Sequence, residues 1–288
     1  MSYDSNGLAV ARPKLQRLVD AVRARPDGGR VGLVVVDAET GERIDWAGGD
    51  PFTAASVIKV PILLAALRLA DAGTVDLEQR VPRPCRDPVG GSGVLKELTS
   101  VHELSLRDLL MLMVIVSDNT ATNTVLDVIG IEAVDALLRD CGLGSSRLER
   151  KLMDLAARDR GLDNVITAAD IATLLAALVR GDVLTGSHTR TALDMLGRQQ
   201  VRDRLPRYLP EGTRVAHKTG DLPGLRHDAG VLHLGPTGDH PVVVVVLTEG
   251  FADPLTTTDT TGGDASDLGA DVGRIVHAAF TDHQPSGG

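Results

Sequence analysis

Ser56 and Lys59 are the residues whose types and spacing first suggest chemistry in this chain. They stand three positions apart, just before an apolar stretch from Val60 to Leu67 that is typical of a helix buried on every face. At this spacing in a helix the two side chains share a face, so the amine can reach the hydroxyl. Burial lowers the pKa of an amine, and a neutral amine can activate a serine nucleophile. The alternative is an ordinary lysine that extends to water.

Two further polar groups follow along the chain. Ser117-Asp118-Asn119 comes directly after an apolar helical run, where buried polar side chains need partners. His217-Lys218-Thr219-Gly220 ends a predicted strand. Taken alone, the first group is more typical of a capped helix end, and the second of a solvated lysine on an edge strand.

Together the three groups form the ordered motif set S-x-x-K, S-D-N and K-T-G. They are separated by about 60 and about 100 residues, which suits the proteins that carry this set. Over nearly its whole length the chain resembles the class A β-lactamase-like serine hydrolases, the penicillin-recognising family. The resemblance implies a β-lactamase/DD-peptidase-like fold and an acyl-enzyme mechanism.

The resemblance also implies a role for each matching residue of the reaction centre. Ser56 would be the acylated nucleophile and Lys59 its activating amine, while Ser117 would relay a proton towards the leaving nitrogen. The backbone N–H groups of Ser56 and Asp221 would form the oxyanion hole. These roles agree with the chemistry, because a hydroxyl needs a base and a tetrahedral oxyanion needs aimed donors.

For the substrate, the resemblance implies a small molecule with an amide side chain and a carboxylate. Asn119 would hold the amide, and Lys218 with Thr219 would bind the carboxylate, with Gly220 completing the binding segment. A cation opposite an anionic group is what such recognition requires. We expect catalysis by Ser56, Lys59, Ser117 and Lys218, with no metal and no cofactor.

The chain departs from the family in the loop that normally holds the deacylating water. Class A β-lactamases carry a glutamate there and an asparagine four residues later. Aligned on Leu148-Glu149-Arg150, these places fall on Leu152 and Ala156. Asp154 or Glu149 is therefore a candidate substitute base, and the alternative for either is a carboxylate that braces the loop through Arg150 or Arg158. We expect slow deacylation.

The elements around these motifs predict an α+β fold. Predicted strands at 31–37, 42–47, 214–219, 226–234 and 242–248 enclose predicted helices at 57–72, 105–116, 131–141, 167–179 and 187–196, with terminal helices at 13–25 and 268–280. This order implies an antiparallel sheet completed from both ends, with a helical subdomain inserted. The predicted domains are 1–55, 56–200 and 201–288, the first and last forming one α/β subdomain. The stretches 81–94 and 256–266 read as loops, the second of them mobile.

Composition narrows the classes of partner. A net charge of −9 without basic runs argues against nucleic-acid and anionic-membrane surfaces, and 2% aromatic residues leave little for base stacking. Cys85 and Cys141 are too few for a disulfide framework or a zinc site. The N-terminal stretch lacks a signal-peptide pattern, so we expect a cytoplasmic protein. The sequence leaves the oligomeric state open.

We therefore expect a serine hydrolase that acts on a β-lactam or a related amide or ester. A D-Ala-D-Ala-type peptidase or acyltransferase on the same fold, and a sensor that is acylated but not released, remain alternatives. A Ser–His hydrolase would need a histidine beside Ser56, for which His217 is the best candidate among His217, His227 and His233. The G-x-S-x-G motif of α/β-hydrolases is absent from the sequence.

Overall fold

An antiparallel sheet forms the centre of the molecule in the computed structural model, which describes residues 7–25, 28–83, 89–235, 237–251 and 265–281. Strands occupy Arg30–Asp37 (β1), Arg43–Trp46 (β2), Phe52–Thr53 (β3), Arg80–Pro82 (β4), Glu103–Ser105 (β5), Val165–Ile166 (β6), Val215–Leu222 (β7), Leu225–Leu234 (β8) and His240–Glu249 (β9). Five of them form the main sheet in the order β2-β1-β9-β8-β7, while β3 pairs with β6 and β4 with β5. Strand β7, which carries Lys218, is therefore an edge strand of the main sheet.

Helices cover both faces of this sheet. They span Gly7–Arg23 (α1), Lys59–Asp71 (α2), Leu106–Ile115 (α3), Asn119–Ile129 (α4), Ile131–Asp140 (α5), Leu155–Asp159 (α6), Ala168–Arg180 (α7), Gly186–Gly197 (α8) and Ala265–Thr281 (α9). Helices α1 and α9 pack together on one face, and α7 packs on β1 and β9 from the other. None of these helices is both long and apolar enough to cross a membrane.

The valine-rich strands read as continuous apolar runs because both faces of the sheet are covered. In β9, Val243, Val245 and Leu247 join the core on the α7 side, while the alternate valines join the core under α1 and α9. Alternate side chains of a strand point to opposite faces, so each face receives half of the run. The pairing of β1 with β9 joins the two ends of the chain, with Leu33 opposite Val246. This arrangement confirms the predicted α+β class.

Helix α2 is buried all round, as its apolar pattern predicts. Every residue from Lys59 to Leu67 is buried, and α2 packs against α4, α5 and α8. The residues just before it are not α-helical, however. A short 3₁₀ helix spans Ala55–Ile58, so the predicted helix over 57–72 is correct only from Lys59 onward.

Other elements differ from the prediction in detail. Helix α1 begins before Pro13 because the apolar period continues through Leu8 and Ala11, which are buried against the sheet. Helix α4 was not predicted, because its polar first turn resembles a loop and its buried threonines interrupt the apolar pattern. The short helix α6 and the two-stranded pairs were also missed.

Helices α7 and α8, assigned to the predicted domain 56–200, pack against strands of the main sheet. The domain boundaries themselves stay a prediction.

Parts of the predicted loops lie outside the described residues. Of the stretch 81–94, β4 includes Val81 and Pro82, and residues 84–88, among them Cys85, are not described. Residues 252–264 are not described either, which covers most of the stretch 256–266. Cys141 is partly buried without a disulfide, and burial raises the pKa of its thiol.

Candidate active site

Ser56 and Lys59 meet where the 3₁₀ helix Ala55–Ile58 passes into α2. Ala55 has a φ of 43°, a left-handed conformation that is uncommon for a residue with a Cβ and turns the chain from β3 into this helix. Side chains three positions apart eclipse in a 3₁₀ helix. Lys59 Nζ accordingly lies 3.1 Å from Ser56 Oγ. Ser56 is half-buried while Lys59 is fully buried, so the hydroxyl is within reach of a ligand and the amine is not.

Ser117 connects the two buried lysines. It follows the end of α3 with a φ of 55°, again in the left-handed region. Its Oγ lies 3.0 Å from Lys59 Nζ and 3.1 Å from Lys218 Nζ, and its carbonyl oxygen accepts from Lys59 at 2.8 Å. A hydroxyl that accepts from two amines still has its own proton to donate. Ser117 can therefore pass a proton between Lys59 and an incoming group.

Asp118 and Asn119 join the start of α4 to the neighbouring loop. The Asp118 carboxylate accepts from the backbone N–H groups of Ala121, Val94 and Leu95 at 2.7 to 2.8 Å, which makes it the N-cap of α4 and the brace of the loop. A Cβ on Gly93, whose φ is +110°, would lie 2.3 Å from the Asp118 carboxyl carbon, so only glycine permits this approach. The sequence did not reveal this bracing role.

Asn119 presents its amide on the same side. Its Oδ1 accepts from Lys59 Nζ at 2.8 Å, and its Nδ2 donates to the carbonyl oxygen of Gly90 at 2.9 Å. The side chain is fixed at both ends, and it lies beside the reacting pair as the sequence led us to expect. Its assigned substrate contact stays a prediction.

Strand β7 brings Lys218 and Gly220 beside the 3₁₀ helix. Lys218 Nζ donates to the carbonyl oxygen of Thr219 at 2.8 Å, in addition to its contact with Ser117. A Cβ on Gly220 would lie 3.2 Å from the backbone nitrogen of Ser56, so the missing side chain lets the strand approach this N–H. The next residue, Asp221, is half-exposed, and its carboxylate pairs with Arg204.

Both lysines are fully buried, and their pKa values fall for that reason. Burial, reinforced by the charge of Lys218 and opposed by Asp118, holds the pKa of Lys59 well below its usual 10.5. Burial lowers the pKa of Lys218 to about 7; Arg204 adds to this, while Asp221 and Asp228 oppose it. The site therefore has an amine suited to accept a proton and another that titrates near neutrality.

Arg204 is a residue of this site that the sequence reasoning missed. It is 1% exposed, donates to the carbonyl oxygen of His227 at 3.3 Å and forms an ion pair with Asp221. A buried arginine needs such partners because its charge cannot be lost. It stands outside the three motifs in an irregular segment, so no sequence signal distinguishes it from a surface arginine.

The histidines do not form a Ser–His pair with Ser56. His217 Nδ1 lies 2.8 Å from Asp228 Oδ1. His227 is held between the Thr53 carbonyl oxygen and the Thr248 N–H, and burial lowers its pKa to about 4. Hydrogen bonding to Ser56 Oγ comes from Lys59 instead. No three His, Cys, Asp or Glu side chains form a metal-binding group among the residues that the structure describes.

The loop that follows residue 147 has apolar residues, Leu152 and Ala156, at the two positions where the family resemblance implies a water-holding glutamate and asparagine. Leu152 is fixed through its backbone, whose N–H and C=O bond the Asn123 side chain at 2.9 and 3.0 Å. Its side chain packs on the core on the α7 side of the sheet. Met153 has a φ of 62° and is 45% exposed, while Ala156 is exposed in α6. The Leu152 side chain is apolar and packs on the core, so it offers no polar group that could hold a water.

Both candidate substitute acids make contacts within this loop. Asp154 is the N-cap of α6 and accepts from the Ala157 N–H at 2.9 Å. Glu149 pairs with Arg147 at 3.2 Å and accepts from the Asp163 N–H at 3.1 Å. Neither pairs with Arg150 or Arg158 in these contacts. The loop-bracing role fits what both carboxylates do here, and their assignment as deacylation bases stays untested.

A family model described as the β-lactamase enzyme family matches residues 12–280. The chain belongs to the β-lactamase enzyme family. Beta-lactamase AST-1 of Nocardia asteroides is 30% identical to it over 243 residues, which are 83% of this chain and 76% of that protein. The class A β-lactamase-like assignment made from the motifs is therefore confirmed, and the chain is a β-lactamase-like serine hydrolase.

Solved structures share the whole fold. A β-lactamase from Sphaerobacter thermophilus is 34% identical, with a TM-score of 0.79 over 96% of this chain and 98% of that one. A second neighbour is a leucine-to-glutamate mutant of PBP-A, seen as an acyl-enzyme complex with penicillin G. It is 27% identical, with a TM-score of 0.80 over 93% of this chain and 96% of that one. These matches confirm the predicted β-lactamase-like fold.

Proposed function

We propose that this β-lactamase family member forms an acyl-enzyme at Ser56 with a β-lactam, or a related amide or ester bearing a carboxylate, and hydrolyses it slowly. The observation that carries the proposal is the continuous chain of contacts from Ser56 through Lys59 and Ser117 to Lys218. Relatives named β-lactamases, and a neighbour caught as a penicillin acyl-enzyme, support the substrate class.

Lys59 has the contacts of a base for Ser56. Four oxygen atoms surround its Nζ, two from Ser117 and one each from Ser56 and Asn119. A charged ammonium has three protons and a neutral amine has two plus a lone pair. Because the pKa of Lys59 is lowered by burial, the neutral form can accept the Ser56 proton through its lone pair. The serine oxygen then attacks the substrate carbonyl.

Collapse of the tetrahedral intermediate breaks the carbon–nitrogen bond and leaves the acyl group on Ser56. The departing nitrogen needs a proton, and the Ser117 hydroxyl can supply one that Lys59 or Lys218 replaces. A protonated Lys218 offers the charge that a substrate carboxylate requires. Backbone N–H groups where β7 approaches the 3₁₀ helix can stabilise the oxyanion.

Deacylation lacks a comparable set of groups. A hydrolytic water must be held and deprotonated beside the ester, and Leu152 packs on the core with a side chain that can do neither. The acyl-enzyme should therefore accumulate. Release by water makes the protein a slow hydrolase or peptidase, whereas release by an amine makes it an acyltransferase.

A burst assay tests the proposal directly. A chromogenic cephalosporin should give a burst of about one equivalent followed by slow turnover, as covalent catalysis with a slow second step requires. Intact mass should show a single adduct that Ser56→Ala removes and that Ser187→Ala, at an exposed serine of α8, keeps. An adduct that survives Ser56→Ala would move the nucleophile elsewhere. A burst that never turns over would favour the sensor alternative.

A further inference from the structure

Behind Lys218, the sheet contains a buried histidine–carboxylate pair that the reaction steps above do not use. His217 precedes Lys218 in β7, so its side chain leaves the strand on the opposite face. Its Nδ1 lies 2.8 Å from Asp228 Oδ1, and both side chains are 0% exposed. We assign the proton to Nδ1, because an ionised carboxylate only accepts hydrogen bonds. Among the residues that the structure describes, the buried His217 Nε2 has no hydrogen-bond partner, so the contact with Asp228 is the one polar contact of this imidazole there.

The second oxygen of Asp228 anchors the segment that carries Arg204. It accepts from the Leu205 N–H at 3.1 Å. From the other side, α9 approaches so closely that a Cβ on Gly273 would lie 2.1 Å from the Leu205 carbonyl oxygen. The segment is thus fixed between the sheet and α9, and Arg204 extends from it to Asp221.

Asp228 is also the least screened negative charge that acts on Lys218. Two acidic groups attract the ammonium, but Asp221 is 46% exposed while Asp228 is completely buried. Charges in water are screened strongly and buried charges much less. The charged groups that act on Lys218 are Arg204, Asp221 and Asp228. Lys59, His217 and the buried Asp118, which follows Ser117, lie beside it. Of the two carboxylates that act on Lys218, Asp228 is the one that is completely buried.

We propose that the His217–Asp228 pair is a positioning device for recognition of the substrate carboxylate. It keeps a buried negative charge near Lys218, which favours the protonated amine, and it holds the segment bearing Arg204 against β8. His217 and Asp228 act through Lys218 and touch no substrate atom. The inference rests on the proposed function, because it concerns the binding of that substrate's carboxylate.

The test compares a penicillin with its methyl ester as substrates of Asp228→Asn. Loss of the buried charge should shift the alkaline limb of the pH profile of the acylation rate constant to lower pH by about one unit. This is the lower end of the pKa shift that a nearby opposite charge causes. At pH 8 the free acid should then react roughly tenfold more slowly, since one pH unit corresponds to a factor of ten in protonation. The methyl ester, which has no carboxylate, should change less than about twofold by the same reasoning.

A matched control exists in the same sheet. Asp37 is another fully buried carboxylate that bonds a histidine, His240, at 3.1 Å, but it stands at the end of β1. Asp37→Asn removes the same chemistry away from Lys218. Its pH profile should superimpose on that of the wild type for both substrates, even if its melting temperature falls.

Two variants at His217 keep the test decisive if Asp228→Asn does not fold. His217→Asn retains a donor for Asp228 and should keep the wild-type limb, whereas His217→Leu removes the donor that fixes the Asp228 carboxylate and should shift the limb in the same direction as Asp228→Asn. The inference is overturned if the acid-substrate profile of Asp228→Asn, or that of His217→Leu where Asp228→Asn does not fold, coincides with the wild type. It is equally overturned if the ester loses as much rate as the acid, since that marks a purely structural role. Absence of any wild-type adduct with either substrate would instead overturn the proposed function.

Discussion

Two regions of the molecule, a first side around Lys59 and Ser117 and a loop side after residue 147, differ in the polar side chains that they carry. On the side of Lys59 and Ser117, buried polar side chains contact one another at 2.8 to 3.1 Å. On the side of the loop after residue 147, the backbone of Leu152 is equally well fixed, yet its side chain is hydrocarbon. Rigidity alone therefore does not supply chemistry. Under the proposed function, the first side forms the ester and the loop side lacks groups that would hydrolyse it.

The largest expected effect tests whether the first side works through a base or only through a charge. Lys59→Arg keeps the positive charge but cannot accept a proton, because guanidinium stays protonated. Acylation should fall by about 10² to 10⁴, the usual contribution of a positioned base. Stopped-flow acylation measures it, and Lys151→Arg, at an exposed ion pair with Asp127, is the matched control. Near-normal acylation would mean that the charge suffices.

The second prediction restores the missing chemistry on the loop side. Leu152→Glu together with Ala156→Asn should speed deacylation by about 10², the lower end of the effect of a general base. The rate of acyl-enzyme loss by mass spectrometry gives the answer. Leu155→Glu is the control, since it adds the same carboxylate to the same loop at a side chain that is 57% exposed. An equal gain from Leu155→Glu would show that position does not matter.

The third prediction concerns the loss of folding stability that the buried charge of Lys218 causes. The pKa of Lys218 is about 7 in the fold against an ordinary 10.5, so its charge is less favourable when folded. A lysine whose pKa is lower in the folded state decreases the free energy of unfolding by its full amount below about pH 7. This decrease becomes smaller as the pH rises to about 10.5, where the lysine is neutral in both states. Lys218→Met should therefore raise stability at pH 6 by about 1 to 4 kcal/mol, as replacing buried charges often does.

Thermal unfolding at several pH values checks this prediction. Each kcal/mol corresponds to roughly 2 to 4 °C in a protein of this size, and the difference between variant and wild type should shrink towards pH 10. Lys151→Met, at an exposed lysine, should show no such pH-dependent gain. A Lys218→Met variant less stable than wild type at pH 6 would mean that its hydrogen bonds outweigh its desolvation.

The smallest effect is expected at Asp154. Because its carboxylate caps α6, Asp154→Ala should cost about 1 kcal/mol of unfolding free energy, the usual value of an N-cap. The deacylation rate should change by less than about twofold, in contrast to loss of a true base. Should deacylation stop while acylation continues, Asp154 would be the substitute base and the loop side would be less inert than we argue.

Local motifs predicted the candidate site because each motif spans only a few residues of the chain. Ser56 with Lys59, Ser117 with Asn119, and Lys218 with Thr219 are each close in sequence, and the structure brings all three groups together. The family resemblance of the chain followed from the three motifs, their order and their spacing. The strand and helix pattern likewise predicted the main sheet and most helices, since long apolar runs have a clear period.

Contacts made between distant segments could not be predicted in this way. Asp118 braces Val94 and Leu95, and Asp228 anchors Leu205, across parts of the chain that no short pattern relates. The Ala55–Ile58 helix also escaped, because its 3₁₀ form depends on how the chain enters from β3 and not on helix propensity. Both kinds of feature are tertiary in origin.

The order of strands in the sheet has a consequence for how the chain reaches this state. Strand β1 is buried between β2 and β9, yet β9 is made near the other end of the chain, with Val34 opposite Val245. During synthesis β1 and β2 can pair early as a hairpin, but the other edge of β1 stays open until β9 emerges. Pairings across such distances in sequence form slowly. The valine-rich edge of β1 is thus an aggregation hazard of the nascent chain until β9 has been synthesised and pairs with it.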